Sequence, residues 1–270
     1  MKVVAIIQAR MGSSRLPGKI LRSLDGISVL ELIHKRLSQC GSLHEIVVAT
    51  SSSEKDDAVE KEMLRLNIEV YRGDENDVLD RYYRVAAMTG ADVIVRITGD
   101  CPLIDPGIVD TVVGSFLDQY LSLHYVSNIH PPTFPDGLDV EVFSFEALER
   151  AWKEADNPFD REHVTPFIHR HPQWFPCNNV AASQDYSGMR WTLDEEKDYE
   201  FLLALTEKAA ELGVSARLAT LEDWFRIVER YPRLAEINGG YQRNEGSSID
   251  WSYAEHREVA MAENKGADKG

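Results

Sequence analysis

A chain of 270 residues with 43% hydrophobic content can fill one large core or two small ones, which predicts a globular protein. Its formal charge of -16 argues against a protein that coats nucleic acid, because neutralising phosphates along a polymer needs a basic face. No apolar run approaches the roughly 18 residues that span a bilayer, and MKVVAIIQAR runs into a polar loop with no small-residue cleavage site, so no membrane insertion and a cytoplasmic location are expected.

The chain opens on KVVAIIQ (2–8), an apolar run short enough for a buried strand, and EIVVAT (45–50), IEVYRG (68–73) and DVIVRIT (92–98) repeat the type. Between them, SVLELIHKRLSQ (28–39) places Val29, Leu30, Ile33 and Leu37 at helical spacing, and Ser28 with Glu31 forms a capping-box signature. SEKDDAVEKEMLRL (53–66) and DVLDRYYRVAAMTG (77–90) predict the next helices, the second stopped by Gly90. Strands alternating with amphipathic helices predict an α/β domain with a mainly parallel sheet.

After Pro106 the pattern changes. GIVDTVVGSFLDQYL (107–121) predicts a helix, while HYVSN (124–128) and LDVEVF (138–143) predict strands around IHPPTFPDG (129–137), whose prolines favour a binding loop or lid. SFEALERAWKEA (144–155) and DREHVTPFIHRH (160–171) read as helices, MRWTLD (189–194) as a strand, and EEKDYEFLLALTEKAAELG (195–213) as a long helix ended by Gly213. The tail 239–270 carries Gly, Ser and charge with a short helical signal around 253–263, and is expected to be partly disordered or to dock on a partner. Cys40, Cys101 and Cys177 are widely spaced, which predicts free buried thiols rather than a disulfide or zinc framework. Trp152, Trp174, Trp191, Trp224 and Trp251 are expected in the core or at an interface.

The most informative stretch is ARMGSSRLPGK (9–19), a loop between the first strand and the first strong helix. Open α/β sheets bind ligands at the carboxyl ends of their strands, where this loop falls. It is not a Walker A loop, since five residues separate Gly12 from Gly18 and Ile20 follows Lys19, and G-x-G-x-x-G is absent too. What it offers is a flexible turn with hydroxyls and the cations Arg10, Arg15 and Lys19. Arg gives planar two-point phosphate contacts and Lys a point charge, so the loop suits a polyphosphate. A solvated surface loop is the rival explanation.

IIQARMGSSRLPGK (6–19), VVATS (47–51), YRGDENDVLDRY (71–82), RITGDCPLID (96–105), DGLDVEVF (136–143), REHVTPFI (161–168) and RWTLDEEKDYE (190–200) occur in this order. Together they resemble the cytidylyltransferase superfamily of CMP-acylneuraminate and CMP-KDO synthetases, and above all its spore coat polysaccharide biosynthesis protein F branch. The resemblance implies a Rossmann-like, three-layer nucleotide-diphospho-sugar transferase fold over 1–238, with a small inserted dimerisation or acceptor region near 124–180, and a homodimer. It implies Mg²⁺-dependent transfer of CMP from CTP to a sugar, sugar acid or polyol-phosphate acceptor, with pyrophosphate release, for surface-glycan assembly. By position it assigns nucleotide binding to Gln8, Ala9, Arg10, Gly12, Ser13, Arg15, Lys19, Thr50, Arg72, Asp77 and Arg81. It assigns the metal to Asp100 and Asp194, and catalysis to Asp100, Lys19 and Arg10.

Asp100 follows an apolar strand directly, where a ligand would sit, though a turn aspartate is the plainer explanation from composition. For Asp194 the plainer role is a helix N-cap. On the acceptor side, Asp136, Asp139, Glu141, Glu162 and His163 form a polar cluster able to hold hydroxyls or an acidic group, with structural ion pairing as the alternative for each. A glycosyltransferase of related fold would want a D-x-D metal motif, which GDCP lacks. A catalytically silent nucleotide-binding module is the remaining alternative.

Overall fold

The computed structural model describes residues 1–241 and 243. The chain begins with β1 (Val3–Gln8); a short turn of helix and a small hairpin of β2 (Ser23–Leu24) and β3 (Ile27–Ser28) lead to α1 (Val29–Leu37). Then β4 (Glu45–Ser51), α2 (Asp57–Arg65), β5 (Val70–Gly73), α3 (Val78–Thr89) and β6 (Val93–Thr98) alternate as the hydrophobic pattern predicts. After α4 (Pro106–Leu117) come β7 (Tyr125–Ser127), β8 (Glu141–Ser144), α5 (Phe145–Glu154), α6 (Pro158–His163), α7 (Pro166–His169), β9 (Cys177–Asn179), α8 (Glu196–Glu211) and α9 (Leu221–Arg230).

Seven strands form one sheet in the order β5-β4-β1-β6-β8-β7-β9. β1 runs parallel to β4 and β6, β4 parallel to β5, and β8 lies antiparallel between β6 and β7, so the β5-β4-β1-β6 half of the sheet is wholly parallel. Alternation along β1 sends Val3, Ala5 and Ile7 to one face and Val4 and Ile6 to the other, and each face is covered by its own buried cluster. The first cluster packs residues of α1, α4, α8 and α9, the second residues of α3 and α5, which makes three layers.

The chain leaves β1 toward β4 on one side and returns through β6 on the other. That reversal opens a crevice beyond the carboxyl ends of β1 and β6, the expected ligand position in an open α/β sheet. Gln8 stands in register with Thr98 there, and the Gly99 amide donates to the Gln8 carbonyl at 2.9 Å. A Cβ on Gly99 would lie 3.0 Å from that carbonyl oxygen, so glycine lets the two strand ends close on each other.

Several elements differ from expectation. MRWTLD is not a strand: it makes an isolated bridge, Asp136 to Arg190, and the Trp191 and Leu193 amides donate separately to the Asp136 and Asp100 carbonyls. Those acceptors belong to two different loops, so no ladder forms. The helix expected over 160–171 is two, broken at Val164, whose φ is 72°, just before Thr165 and Pro166. The hairpin β2–β3 and the edge strand β9 are too short to stand out, whereas α9 is strongly amphipathic, opens on a Thr220–Asp223 capping box and is a helix absent from the elements expected above. Cys177 is exposed on β9 rather than buried, while Cys40 and Cys101 are buried. Trp191 and Trp224 are core residues, Trp152 is partly buried with its ring stacked on Tyr83, and Trp174 is exposed. Trp251 and the helix signal at 253–263 lie outside the described residues.

Candidate active site

The crevice is a cleft of about 670 Å³. Its walls include Gln8, Ala9, Arg10, Gly12, Ser13, Arg15 and Lys19 from the end of β1 and the loop after it, Arg81 from α3, Asp100 from the turn after β6, and Glu162 and His163 from α6. Ser14, Ile20, Val78, Thr98, Gly99, Pro158 and Phe159 complete it. The loop is shaped by its own backbone: the Met11 carbonyl accepts from the amides of Ser13 (3.0 Å) and Gly18 (3.1 Å), and the Ser13 hydroxyl accepts from the Leu16 amide at 3.2 Å. Gly18, at φ 70°, turns the chain so that Lys19 points inward.

The Lys19 ammonium donates to Asp194 Oδ1 at 2.8 Å and to Asp100 Oδ2 at 3.3 Å. Arg15 reaches the same Asp194 oxygen at 3.3 Å and Glu195 at 3.3 Å. Burial works to raise the Asp100 pKa, but the charge of Lys19 and the Thr98 hydroxyl bond outweigh it and hold the carboxyl below its ordinary range. Burial likewise works against the Lys19 charge, and the two carboxylates overcome it and raise its pKa. The N-cap of α8 is Glu195, boxed with Asp198, so Asp194 is not spent on capping the helix.

Arg10 extends across the cleft toward Glu162 at 3.6 Å and Glu75 at 4.0 Å. Arg81 is buried and donates to the Ala49 carbonyl at 3.4 Å, and its Nε is without a partner among the described residues. Burial lowers its pKa first, with the Arg10 charge adding to that. Thr50 is buried on β4, away from the cleft lining, with its hydroxyl unpartnered among the described residues. Arg72 clamps the turn after β4 through the carbonyls of Ser51 (3.0 Å) and Ser53 (2.9 Å), and Asp77 caps α3 and pairs with Arg161 of α6 at 2.6 Å. Neither Arg72 nor Asp77 lines the cleft.

Asp136, Asp139 and Glu141 stand apart from the cleft walls, though the charge of Asp100 is felt at both aspartates. Glu141 is buried and accepts from Arg96, from the Tyr125 hydroxyl at 2.7 Å and from the Thr165 hydroxyl at 2.6 Å. Burial would raise its pKa, yet Arg96 and these donors bring it down to about 2. Asp136 takes the opposite course: burial, with the Asp139 charge beside it, pushes it up to about 7 against the pull of Arg243 and Arg190. Burial also lowers the pKa of His163. A clasp from the chain's last described residues covers this cluster: Asn238 donates to the Arg190 carbonyl and to Asp198, each at 3.0 Å, the Tyr241 ring lies over the Arg190 guanidinium, and Arg243 bonds Asp139.

Asp56 belongs to the site's framework, though no motif marks it. Its carboxylate accepts from the Met11 amide at 2.6 Å and from Ser51, fastening the loop after β1 to the end of β4. Nothing in its local spacing separates it from the other acids at the start of α2. Phe159, at the cleft wall, is equally silent in the sequence, an isolated aromatic among polar residues.

A cationic loop and a pair of carboxylates at the switch point of a doubly wound sheet define a phosphate-handling α/β enzyme. The family model described as Cytidylyltransferase matches residues 4–219, and the chain belongs to that family. It is 34% identical over 219 residues to spore coat polysaccharide biosynthesis protein SpsF of Bacillus subtilis, covering 77% of this chain and 88% of that protein. A cytidylyltransferase from Leptospira borgpetersenii superposes with a TM-score of 0.81 at 33% identity, over 87% of this chain and 96% of that one. A CMP:2-keto-3-deoxy-manno-octonic acid synthetase complexed with CTP shares the fold, with a TM-score of 0.61 at 19% identity over 77% of this chain and 99% of that one. The architecture is thus the nucleotide-diphospho-sugar transferase fold.

Proposed function

We propose that this enzyme transfers CMP from CTP to a sugar, sugar acid or polyol-phosphate acceptor and releases pyrophosphate, in surface-glycan assembly. The observation that carries this reading is the convergence of Arg10, Arg15 and Lys19 with Asp100 and Asp194 about one cleft in a chain of this family. The named activities of its relatives, a CTP-bound synthetase and a polysaccharide biosynthesis protein, support the choice of CTP and of a glycan precursor.

In the reaction an acceptor oxygen attacks the α-phosphorus, and the bond to the departing pyrophosphate breaks. Negative charge grows on the non-bridging oxygens and the leaving group, where Arg10, Arg15 and Lys19 would stabilise it. Among the described residues no group of three or more acids, histidines or cysteines stands ready to cage a metal. Two carboxylates drawn to one ammonium fit Mg²⁺, which takes one or two carboxylates and completes its shell with phosphates and waters. When bound there, Mg²⁺ would neutralise phosphate charge. A sugar hydroxyl must also lose its proton, for which a carboxylate base would help, whereas an acceptor phosphate is already ionised and needs only positioning.

The test is pyrophosphate release from CTP, UTP, ATP and GTP with Mg²⁺ against a panel of sugar acids, sugar phosphates and polyol phosphates. Release that is CTP-selective, depends on an acceptor and disappears in Asp100→Ala is the expected result. Release with another nucleotide in place of CTP overturns the choice of CTP, and no release with any pair despite CTP binding overturns the transfer reaction and favours a binding module.

A further inference from the structure

Lys19 stands where a metal between the two aspartates would place positive charge. Its nearly buried side chain bridges Asp194 Oδ1 (2.8 Å) and Asp100 Oδ2 (3.3 Å), and Arg15 adds a second cation 3.3 Å from Asp194. The other oxygen of Asp100 accepts from the Thr98 hydroxyl, which leaves Oδ2 for the ammonium. Arg190 stands 3.8 Å from the other oxygen of Asp194, so the two carboxylates already face three cations. A bare divalent ion entering this site meets like charge at short range. A metal carried on a triphosphate brings its own anions, and those anions give Lys19 and Arg15 new partners as the metal takes the carboxylates.

We propose that Lys19 is a positioning residue that holds Asp100 and Asp194 together before nucleotide binds and excludes free metal, so that metal enters with the nucleotide rather than ahead of it. The inference rests on the reading of these two aspartates as the metal ligands. It also explains how a single lysine can serve the site twice: as a counter-ion before nucleotide arrives and as a phosphate contact afterwards.

The experiment measures Mn²⁺ binding to the full chain without nucleotide, from the free-ion signal in electron paramagnetic resonance. Lys19→Met removes the charge while keeping much of the side chain's length, and is expected to bind Mn²⁺ at least about tenfold more tightly than wild type. Adding Asp100→Asn to it should abolish that gain. Arg22→Met removes the same unit charge from the pair with Glu196, 2.7 Å, and should leave Mn²⁺ affinity unchanged. Equal affinity in wild type and Lys19→Met, or an equal gain from Arg22→Met, overturns the proposal. If Lys19→Met fails to fold, Lys19→Gln gives the same comparison. No turnover enters this measurement: failure of the pyrophosphate assay would sink the transfer reaction alone, and absence of Mn²⁺ binding in every variant would sink the present inference.

Discussion

Two carboxylates a few residues apart respond to pH in opposite senses. Asp136 has its folded pKa raised to about 7 by burial and by Asp139, above an unfolded value of about 3.9. Its contribution to stability is therefore present below the unfolded value and lost as pH rises through 7. Asp136→Asn should gain about 1–2 kcal/mol relative to wild type on going from pH 4 to pH 8, measured by denaturant unfolding at both pH values. No pH dependence in that difference would mean that the carboxyl is ionised in the fold. Glu141 is depressed to about 2, so its contribution is present above about 4.3 and lost as pH falls through 2. Glu141→Gln should cost about 2–4 kcal/mol near neutral pH, because the largely buried Arg96 keeps Gln8 but loses its carboxylate, and the loss should shrink toward pH 2. Alternation in the sequence puts Asp139 and Glu141 on one face but cannot separate their roles. What distinguishes Glu141 is the partners brought by β6, β7 and Thr165, none of them adjacent in the chain.

At the scale of elements, the loops around the cleft depend on close backbone approaches. Gly137 has φ 100°, and a Cβ there would lie 2.6 Å from the Thr192 amide nitrogen and 2.7 Å from the Trp191 carbonyl carbon. Neither neighbour is a side chain that can swing away. Gly137→Ala should therefore destabilise the fold by about 2–4 kcal/mol and disturb the stretch that delivers Asp194, seen as a lowered Tm and weaker Mn²⁺ binding in the presence of CTP. A second anchor is Arg36 on α1, fully buried and donating to the carbonyls of Ile104, Ala216 and Ala219 at 2.6, 2.6 and 2.9 Å. Replacing it with Leu would leave three carbonyls without that donor and should lower stability by at least about 3 kcal/mol in the same unfolding assay. The alternating first half of the fold is legible because each βα unit carries both periodicities locally. The stretch 189–194 looks like a strand because Trp191, Thr192 and Leu193 are β-prone, yet loops and the Asp100 carbonyl hold it in place of a neighbouring strand. Arg36 falls on the apolar stripe of α1, three residues after Ile33 and seven after Val29, so helical spacing hints at its burial but not at the three carbonyls it meets.

For the molecule as a whole, the order β5-β4-β1-β6 fixes the crevice, and the ordered motifs of the sequence point to most of the residues that fill it. What no local rule supplies is the meeting of Lys19 with Asp194, which joins the loop after β1 to the start of α8. The homodimer expected from the resemblance is testable by sedimentation: a species of twice the 30.5 kDa chain mass is the predicted result, and a monomer across the micromolar range would refute it. Lys19 reaches partners 81 and 175 residues further along the chain, and the clasp of Asn238, Tyr241 and Arg243 follows later still. During synthesis, therefore, the cationic loop leaves the ribosome long before its second acidic partner exists. A nascent chain stalled before residue 194 would present Arg15 and Lys19 without that carboxylate, so the pair of aspartates proposed to hold metal is completed only late in translation.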